Sequence, residues 1–460
     1  MTELARLIAS IAIITVIGWA VLSIILSRRG GFSLAEELAV SYGLGLGFIT
    51  LEMLCFYFLK LPFKAAYILS PWLVVIAMAL PAAKNRLDSV LAAPKSAKRD
   101  SKKPGGLAVF LLAAICAETF YAFFRALIKP LESYDAIAIY AIKAKILYFA
   151  RAFPADFFTS TIQLFPHPDY PLNIPLAETF FYNMMGAWND QLVKLIFPLY
   201  FVALIVMCYS SIRRFASRTH ALLFTFFLSS IPQLTAYATN GYLDLPLAFY
   251  YFTSAVCLFR WLEDRGQTQL LLVSAVMAGL AGWTKNEGMM FCVVNIAVLA
   301  VYSLQVKGYR LQGMKQAAIY TGITVVILAP WLFIKKAAGI ENSEIILANL
   351  NPANLFRQLW KIKPILYEFQ KQFFGPKKWN IFWPLALFIL AAGYKVAFKG
   401  VRKYIALSLA LTICGYVTFY MISKVDVHFF LSTTWSRFLL HFLPVVVYWI
   451  ALVAKDEVEI

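Results

Sequence analysis

The sequence contains a succession of apolar runs of about 20 residues each, and this feature limits the possible fold more than any other. The runs are centred near residues 17, 47, 74, 116, 202, 229, 253, 276, 297, 325, 389, 413 and 445. A helix of about 20 apolar residues crosses the hydrocarbon layer of a membrane. The strand-like alternation of a membrane β-barrel is absent. We therefore predict an all-α, polytopic transmembrane bundle of about 13–14 helices.

The composition supports a membrane bundle and excludes other classes. Of the 460 residues, 61% are apolar and 14% are charged, whereas a soluble domain has about 45–50% and about 25%. The formal charge is +18, but most Lys and Arg residues lie at the ends of apolar runs, where they set orientation and contact anionic head groups. Nucleic acid is therefore not an expected partner. All six cysteines lie inside apolar runs, which argues against disulfides and cysteine metal sites.

Charge also predicts the orientation. The most polar stretch, from Lys84 to Gly106, is rich in basic residues, so the positive-inside rule places it in the cytoplasm. The N-terminus is then outside and the C-terminus inside. Residues 172–188 fit only as a half-span or short helix. The predicted parts are three N-terminal helices in 1–83, a basic cytoplasmic loop in 84–105, a central module in 106–334 with an outer loop at 129–171, a basic outer loop in 335–378, and C-terminal helices in 379–460.

Both predicted outer loops carry basic residues that topogenesis disfavours there. The first has Lys143, Lys145 and Arg151, and the second has eight basic residues. An anionic ligand on the outer face explains them. Attraction to anionic head groups of membrane lipids is the alternative, especially for the second loop.

The first outer loop contains a predicted amphipathic surface helix that starts near Asp135. Eight residues separate Asp135 from Lys143, so the two side chains lie on one side of the helix, about 12 Å apart. This arrangement suits a proton acceptor and an anion holder. Asp135 as a helix N-cap is the alternative.

Further polar residues lie where the outer ends of other helices are expected. A proline-rich loop carries His167 and Asp169, which, with Asp135, form a hypothetical divalent-cation site. The other polar segments are 240–244 with Asp244, 282–288 with Lys285, Asn286 and Glu287, 426–428 with His428, and 435–437 with Arg437. Pairing of Lys285 with Glu287 is the structural alternative for segment 282–288. The glycines at 43, 45 and 47 indicate close helix packing, and no nucleotide-binding motif is present.

Taken in order, the acidic start of the outer loop, its Lys-bearing helix, the His-Pro-Asp-Tyr-Pro-Leu re-entry, the Leu-Asp turn and the Trp-Thr-Lys-Asn-Glu-Gly turn resemble the GT-C membrane glycosyltransferases. The similarity is greatest to bacterial relatives of protein O-mannosyltransferases and of the lipid A aminoarabinose transferase, and it covers about Gly106 to Arg437. The resemblance implies a polyprenyl- or dolichyl-phosphate sugar donor, inversion at the sugar, and a hydroxyl acceptor on a glycan, lipid or protein. It also implies a bacterial inner-membrane protein whose site faces the periplasm.

The resemblance further implies roles for residues of this sequence. Asp135 corresponds to the general base. Ala136 follows Asp135 where the family often has Glu, so Glu132 or Asp169 is expected to substitute. The donor phosphate is assigned to Lys143, Lys145, Lys285 and Arg437. Substrate contacts are assigned to Tyr134, His167, Asp169, Tyr170, Asp244, Asn286, Glu287 and His428. Two other functions remain open: a transporter or flippase of lipid-linked sugars, and a ligase that uses a diphosphate-linked glycan.

Overall fold

The computed structural model describes residues 2–26, 31–92, 103–159, 166–306 and 308–458, with side chains given for all of these except 85–92 and 456–458. Most of these residues are helical, and the predicted all-α class is confirmed. The basic stretch expected in the cytoplasm lies largely outside the described residues, as do Arg28 and Arg29. Three helices open the chain: α1 (Glu3–Leu26), α2 (Leu34–Leu59) and α3 (Ala65–Ala92).

The central part of the chain contains eleven α-helices and one π-helical segment at Ala136–Ala141. The α-helices are α4 (Gly106–Ile128), α5 (Ile142–Ala150), α6 (Asn173–Met185), α7 (Asp190–Val193), α8 (Ile196–Arg213), α9 (Arg218–Ser229), α10 (Pro232–Tyr237), α11 (Asp244–Glu263), α12 (Thr268–Thr284), α13 (Asn286–Gln305) and α14 (Arg310–Ala337).

The C-terminal part begins with short helices and ends with two long ones. They are α15 (Pro352–Arg357), α16 (Ile362–Phe373), α17 (Pro376–Trp379), α18 (Phe382–Ala392), α19 (Tyr394–Ala397), α20 (Arg402–Ile422) and α21 (Val427–Val458). An isolated antiparallel bridge joins Ile345 in the α14–α15 connection to Ser423. This bridge ties the second long loop to the α20–α21 turn.

Within the described residues, ten helical segments are long and apolar enough to cross a membrane. The helices α12 and α18 are shorter but also apolar, and the span expected near residue 229 is divided into α9 and α10 by a break at 230–231. Helix α6 has 13 residues, which is too short to cross. Arg6 at the start of α1 donates to the carbonyl of Met185, so α6 ends beside the N-terminus. The expectation of a short helix within 172–188 is therefore confirmed.

The alternating helices give the bundle two ends. We call the end that carries residues 129–159, 166–172 and 338–378 the loop end; the α10–α11, α12–α13 and α20–α21 turns lie there as well. Helix α2 lies deep in the bundle and packs against α1, α6 and α8. Near the loop end, Thr50 of α2 contacts the Asn173 side chain at 2.7 Å and accepts a hydrogen bond from Trp283. The N-terminal helices are thus joined to the central module.

The α1–α2 contact depends on glycine. A Cβ atom at Gly45 would lie 1.9 Å from the Ile14 carbonyl oxygen, and one at Gly18 would lie 1.8 Å from that of Ser41. Both neighbours are backbone atoms, which cannot rotate away as a side chain can. The glycine series at 43, 45 and 47 therefore allows close approach of helices.

We expect Gly45→Ala to lower the thermal stability of the purified protein strongly, because one of the two backbones must move. Overpacking of this kind costs about 1–3 kcal/mol or more. Gly322→Ala is the matched control, because a Cβ atom there meets no atom within 4 Å, and a helical alanine is favoured over glycine. Equal unfolding temperatures for the two variants in detergent would contradict the packing argument.

A cluster of buried charged side chains lies at the end of the bundle opposite the loop end. Glu36, at the start of α2, is fully buried. Its carboxylate pairs with Arg214, just after α8, and with Arg260 at 3.5 Å, near the end of α11. No motif in the sequence indicates this cluster.

Candidate active site

The loop end contains a buried ionic network centred on Asp244, the first residue of α11. Its side chain is fully buried. Oδ1 accepts hydrogen bonds from Lys285 Nζ at 3.0 Å and from Arg437 Nε at 3.1 Å. His441 Nε2 lies 2.8 Å from the same oxygen. Asp244 was predicted to contact substrate, but the structure places it behind the other charged groups, where it holds three side chains from two different parts of the chain.

Arg437 connects this buried centre to Asp135. Its Nε faces Asp244, and its Nη1 donates to Asp135 Oδ2 at 2.7 Å. The guanidinium lies against the Tyr242 ring, with 4.9 Å between the guanidinium carbon and the ring centroid. Among the described residues, Nη2 of Arg437 has no hydrogen-bond partner although it is buried. The side chain of Asp135 is 18% exposed, so this carboxylate lies at the edge of the network.

His441 and Tyr416 extend the network below Asp244 and were not identified from the sequence. The Tyr416 hydroxyl lies 2.7 Å from His441 Nδ1. His441 follows Arg437 by four residues on α21, and side chains at this spacing share one face of a helix. That spacing was the available signal for His441, whereas nothing in the local sequence indicates that Tyr416 faces it from α20.

The turn between α12 and α13 supplies Lys285 and Glu287, which pair at 2.8 Å. Lys285 is 1% exposed, and two carboxylates already contact its ammonium. The alternative interpretation, pairing with Glu287, is therefore observed. A Cβ atom at Gly288 would lie 2.0 Å from the Ala281 carbonyl oxygen, so the turn is tight because the backbone of α13 touches that of α12.

The predicted surface helix after Asp135 differs from a regular α-helix in its first turns. Residues Ala136–Ala141 are π-helical, and α5 begins at Ile142. Lys143 is buried on the protein side, while apolar side chains occupy the exposed side. These are Ile137, Ile142 and Phe149. The segment is therefore amphipathic, as predicted, but it includes a π-helical segment, and such segments are frequent at functional sites.

Lys143 faces the proline-rich re-entry loop. Its Nζ donates to the His167 carbonyl oxygen at 2.9 Å. Burial lowers the pKa of Lys143 to about 7, against the attraction of Asp169. Asp169 is itself fully buried, and its Oδ2 accepts from Asn286 Nδ2 at 2.9 Å. The re-entry loop and the α12–α13 turn are thus connected through these two residues.

Three aromatic rings stack between the network and the re-entry loop. Tyr170 stacks on His167 with 4.8 Å between centroids and on Tyr140 with 6.4 Å. Tyr140 is fully buried. The Tyr140 hydroxyl is thus a buried polar atom without a hydrogen-bond partner among the described residues, next to the ring of Tyr170.

Glu344, in the loop after α14, joins this group, although no sequence motif indicates it. Its Oε1 accepts from the Tyr170 hydroxyl at 3.3 Å and lies 3.9 Å from His167 Nδ1. His167 Nδ1 also contacts Ser343 Oγ at 2.6 Å. Burial, followed by the nearby Glu287, raises the pKa of Glu344 to about 7. The second long loop thus contributes a carboxyl group beside the aromatic stack.

Three predicted site residues lie elsewhere. Lys145 is placed over the Trp188 ring, with 3.8 Å from Nζ to the centroid. Tyr134 is 67% exposed, and His428 is exposed in the first turn of α21. The structure gives these three residues no contact with the network within the described parts of the chain. Glu132, one of the two expected substitutes for the second carboxylate, is also exposed and pairs with Lys129 at 3.0 Å, whereas the other, Asp169, is buried.

The hypothetical cation site formed by Asp135, His167 and Asp169 is not assembled. Arg437 holds Asp135, Ser343 contacts His167, and Asn286 binds Asp169. Among the described residues, no group of three or more His, Cys, Asp or Glu side chains is placed to hold a metal ion. The donor set that a divalent cation requires is therefore not formed by these three residues.

A cavity of about 440 Å³ adjoins the site, a volume within the usual range for small ligands. Lys143, Lys424, Asn342 and Ser343 contribute polar groups, and Phe157 and Phe158 form an apolar wall.

In the second basic loop, Lys361 is buried, and its Nζ donates to carbonyls that include Tyr420 at 3.1 Å. Part of the excess positive charge of this loop is therefore used in contacts within the protein.

Two comparisons with known proteins found similar families and folds. Residues 169–334 match the model of the dolichyl-phosphate-mannose-protein mannosyltransferase family. The fold resembles ArnT from Cupriavidus metallidurans, solved bound to undecaprenyl phosphate (TM-score 0.52, 15% identity) and in the apo state (TM-score 0.50, 16% identity). Each comparison covers 76% of this chain and 60% of ArnT. No curated protein sequence matches the chain.

The family match over residues 169–334 and the fold shared with ArnT agree with the resemblance to GT-C membrane glycosyltransferases that the sequence indicated. The family model covers the re-entry loop, the α12–α13 turn and Asp244, but neither Asp135 nor Arg437. The likeness to ArnT, at this level of identity, concerns the fold. The aligned part of this chain covers 60% of the length of ArnT.

Proposed function

We propose that the protein is an inverting glycosyltransferase that moves a sugar from a polyprenyl phosphate to a hydroxyl group of a glycan, lipid or protein. The reaction is assigned to the loop end, facing the periplasm of a bacterial inner membrane. The observation that carries the proposal is the contact of Asp135 with Arg437, at 2.7 Å, at the edge of a buried ionic network. The undecaprenyl phosphate named for one ArnT structure supports the choice of donor.

Asp135 is the proposed general base. As the acceptor oxygen bonds to the anomeric carbon, Asp135 takes its proton. The bond from that carbon to the phosphate oxygen breaks, and its electron pair leaves with the phosphate. A retaining enzyme needs a second carboxyl group at about 5–5.5 Å as a nucleophile. The nearest network carboxylate, Asp244, is fully buried and already accepts hydrogen bonds on both oxygens, which favours a single displacement.

The charge on the leaving phosphate is assigned to Arg437, Lys143 and the cavity beside Lys143. Arg437 offers its Nη2 group, and Lys143 and Lys424 line the 440 Å³ cavity. Fixed cations in a partly dry site stabilise a growing negative charge better than water does. Lys285, which was predicted to bind phosphate, is already held by two carboxylates, so we assign it to positioning of Asp244 and Glu287.

The test is a transfer assay with purified protein in liposomes that contain a polyprenyl-phosphate sugar, with the label on the sugar. Supplied with acceptors extracted from bacterial membranes, the protein should move label to an acceptor and release free polyprenyl phosphate. Passage of the intact labelled lipid across the bilayer without transfer would indicate a flippase. Consumption of a diphosphate-linked glycan alone would indicate a ligase.

We expect donor binding to weaken as the pH rises through about 7, because Lys143 then loses its proton. Lys143→Arg should flatten this dependence, since arginine stays protonated throughout that range. The measurement is KM for the labelled donor between pH 6 and pH 9 for both proteins. Lys145→Arg is the control, because Lys145 lies two residues later on the same helix and packs over Trp188 instead of lining the cavity; its profile should follow the wild type. An unchanged profile in Lys143→Arg would remove Lys143 from phosphate binding.

A further inference from the structure

The largest cavity among those described lies at the opposite end of the bundle from Asp135, and the proposed reaction does not use it. Its volume is about 1710 Å³, which exceeds the usual range of about 300–1,000 Å³ for small-molecule sites. Helices α4, α8 and α9 supply much of its wall, and the ends of α8 and α11 supply its rim. We call it the arginine-rimmed cavity, after Arg213, Arg214, Arg218 and Arg260.

The depth of this cavity corresponds to one leaflet of a membrane. Its lining on α4 runs from Ala108 to Thr119, and on α8 from Val202 to Arg213. Each stretch rises by about 16 Å, and one leaflet contributes about 15 Å of the hydrocarbon thickness. On α8 the apolar residues Val202, Ile205 and Val206 lie toward the middle of the bundle and Arg213 lies at the rim, while the lining of α4 is apolar from Ala108 to Ile115. An apolar tail below a charged head group matches this order.

The rim has the charge that complements a single phosphodiester. Among the described residues that line the cavity, four arginines stand against three carboxylates, Glu36, Glu263 and Asp264, so this part of the rim carries one net positive charge. Glu36 is neutralised within this set by Arg214 and Arg260. A zwitterionic head group would leave the net charge uncompensated, whereas a head group with one negative charge removes it.

Arg260 provides a separate indication of a ligand. Its side chain is 9% exposed, and its Nη2 donates to the Gly31 carbonyl. Its Nη1 lies 3.5 Å from Glu36 Oε1, but it makes no hydrogen bond with any described residue. A buried guanidinium N–H without a hydrogen bond is costly, and an oxygen atom of a phosphate in the cavity would satisfy it.

We propose that the arginine-rimmed cavity binds one glycerophospholipid with a singly charged phosphodiester head group, of the phosphatidylglycerol type. The phosphate lies at the arginine rim, and the acyl chains lie between α4 and α8. The site is separate from the proposed catalytic site and does not depend on it. The occupied cavity fills the gap between α4 and the body of the bundle.

The test uses native mass spectrometry of the full-length protein after removal of bound lipid. On titration, phosphatidylglycerol should bind at one site about tenfold or more tighter than phosphatidylethanolamine. Arg213→Gln combined with Arg218→Gln should remove most of that difference, since each basic residue strengthens binding to an anionic lipid surface about fivefold. Arg310→Gln is the control, because Arg310 is exposed at the same end and does not line the cavity.

A second variant tests the place of the acyl chains. Leu112→Trp puts a large ring into the wall at a side chain that is 52% exposed, so we expect the protein to fold and to lose the tight phosphatidylglycerol site. Val326→Trp, at a 72% exposed position of α14, should bind as the wild type does. Equal affinity for both phospholipids, unchanged binding in Leu112→Trp, competition by free glycerol 3-phosphate, or a preference for undecaprenyl phosphate would each overturn the proposal.

Discussion

Asp135→Asn should reduce sugar transfer by about 10³-fold, because a general base contributes about 10²–10⁴ to the rate and an amide cannot take the acceptor proton. The amide still accepts a hydrogen bond from Arg437, whose Nη1 lies 2.7 Å from Asp135 Oδ2. We therefore expect the thermal stability and the KM for donor to change little. The measurement is kcat in the liposome assay, with the unfolding temperature determined on the same preparation.

Glu132→Gln is the matched control for that variant. Glu132 lies three residues earlier in the same loop, but its side chain is exposed and pairs with Lys129. Its activity should match the wild type. If Asp135→Asn kept its activity while Glu132→Gln lost it, the base would be Glu132, and the role assigned to Asp135 would be wrong.

Arg437→Gln is the second variant for which we expect a large effect, and it should lower both activity and stability. Removing the guanidinium leaves Asp135 without its partner and leaves the buried Asp244 with Lys285 and His441 alone. Loss of one partner from a buried ion pair costs about 3–5 kcal/mol. Thermal unfolding in detergent measures the loss of stability, and the sugar-transfer assay measures the loss of activity.

Arg437→Lys separates the two roles of this residue. A lysine ammonium retains the charge near Asp244 but lacks the fork that reaches Asp135 at the same time. Stability should recover in part, and activity should not. Arg357→Gln, at an exposed position in the second loop, should resemble the wild type in both measurements. Full activity in Arg437→Lys would show that a single positive charge is sufficient.

The sequence predicted the fold class because hydropathy is a local property of each run of residues. It also predicted that Asp135, Asp244, Lys285 and Arg437 share one end of the bundle, because alternating spans place every second turn on the same side. The structure brings these four residues together through direct contacts. Their individual roles remain predictions.

The details of pairing could not be predicted from the sequence. That Lys285 is saturated by two carboxylates depends on how deeply the α12–α13 turn lies, and the close approach of Gly288 to Ala281 decides that depth. The π-helical segment after Asp135 places Tyr140 beside Tyr170, which a regular helical spacing does not foresee. Glu344 belongs to a long loop without periodicity, so only the folded chain shows that it reaches Tyr170.

The Glu36 cluster has a consequence for the order of events during synthesis. Arg214 follows Glu36 by 178 residues, and Arg260 follows still later. When the ribosome has completed α2, neither Arg214 nor Arg260 has yet been made. The ion pairs of Glu36 in the folded protein therefore form only after α8 and α11 have been synthesised, and they connect the start of α2 to those later helices.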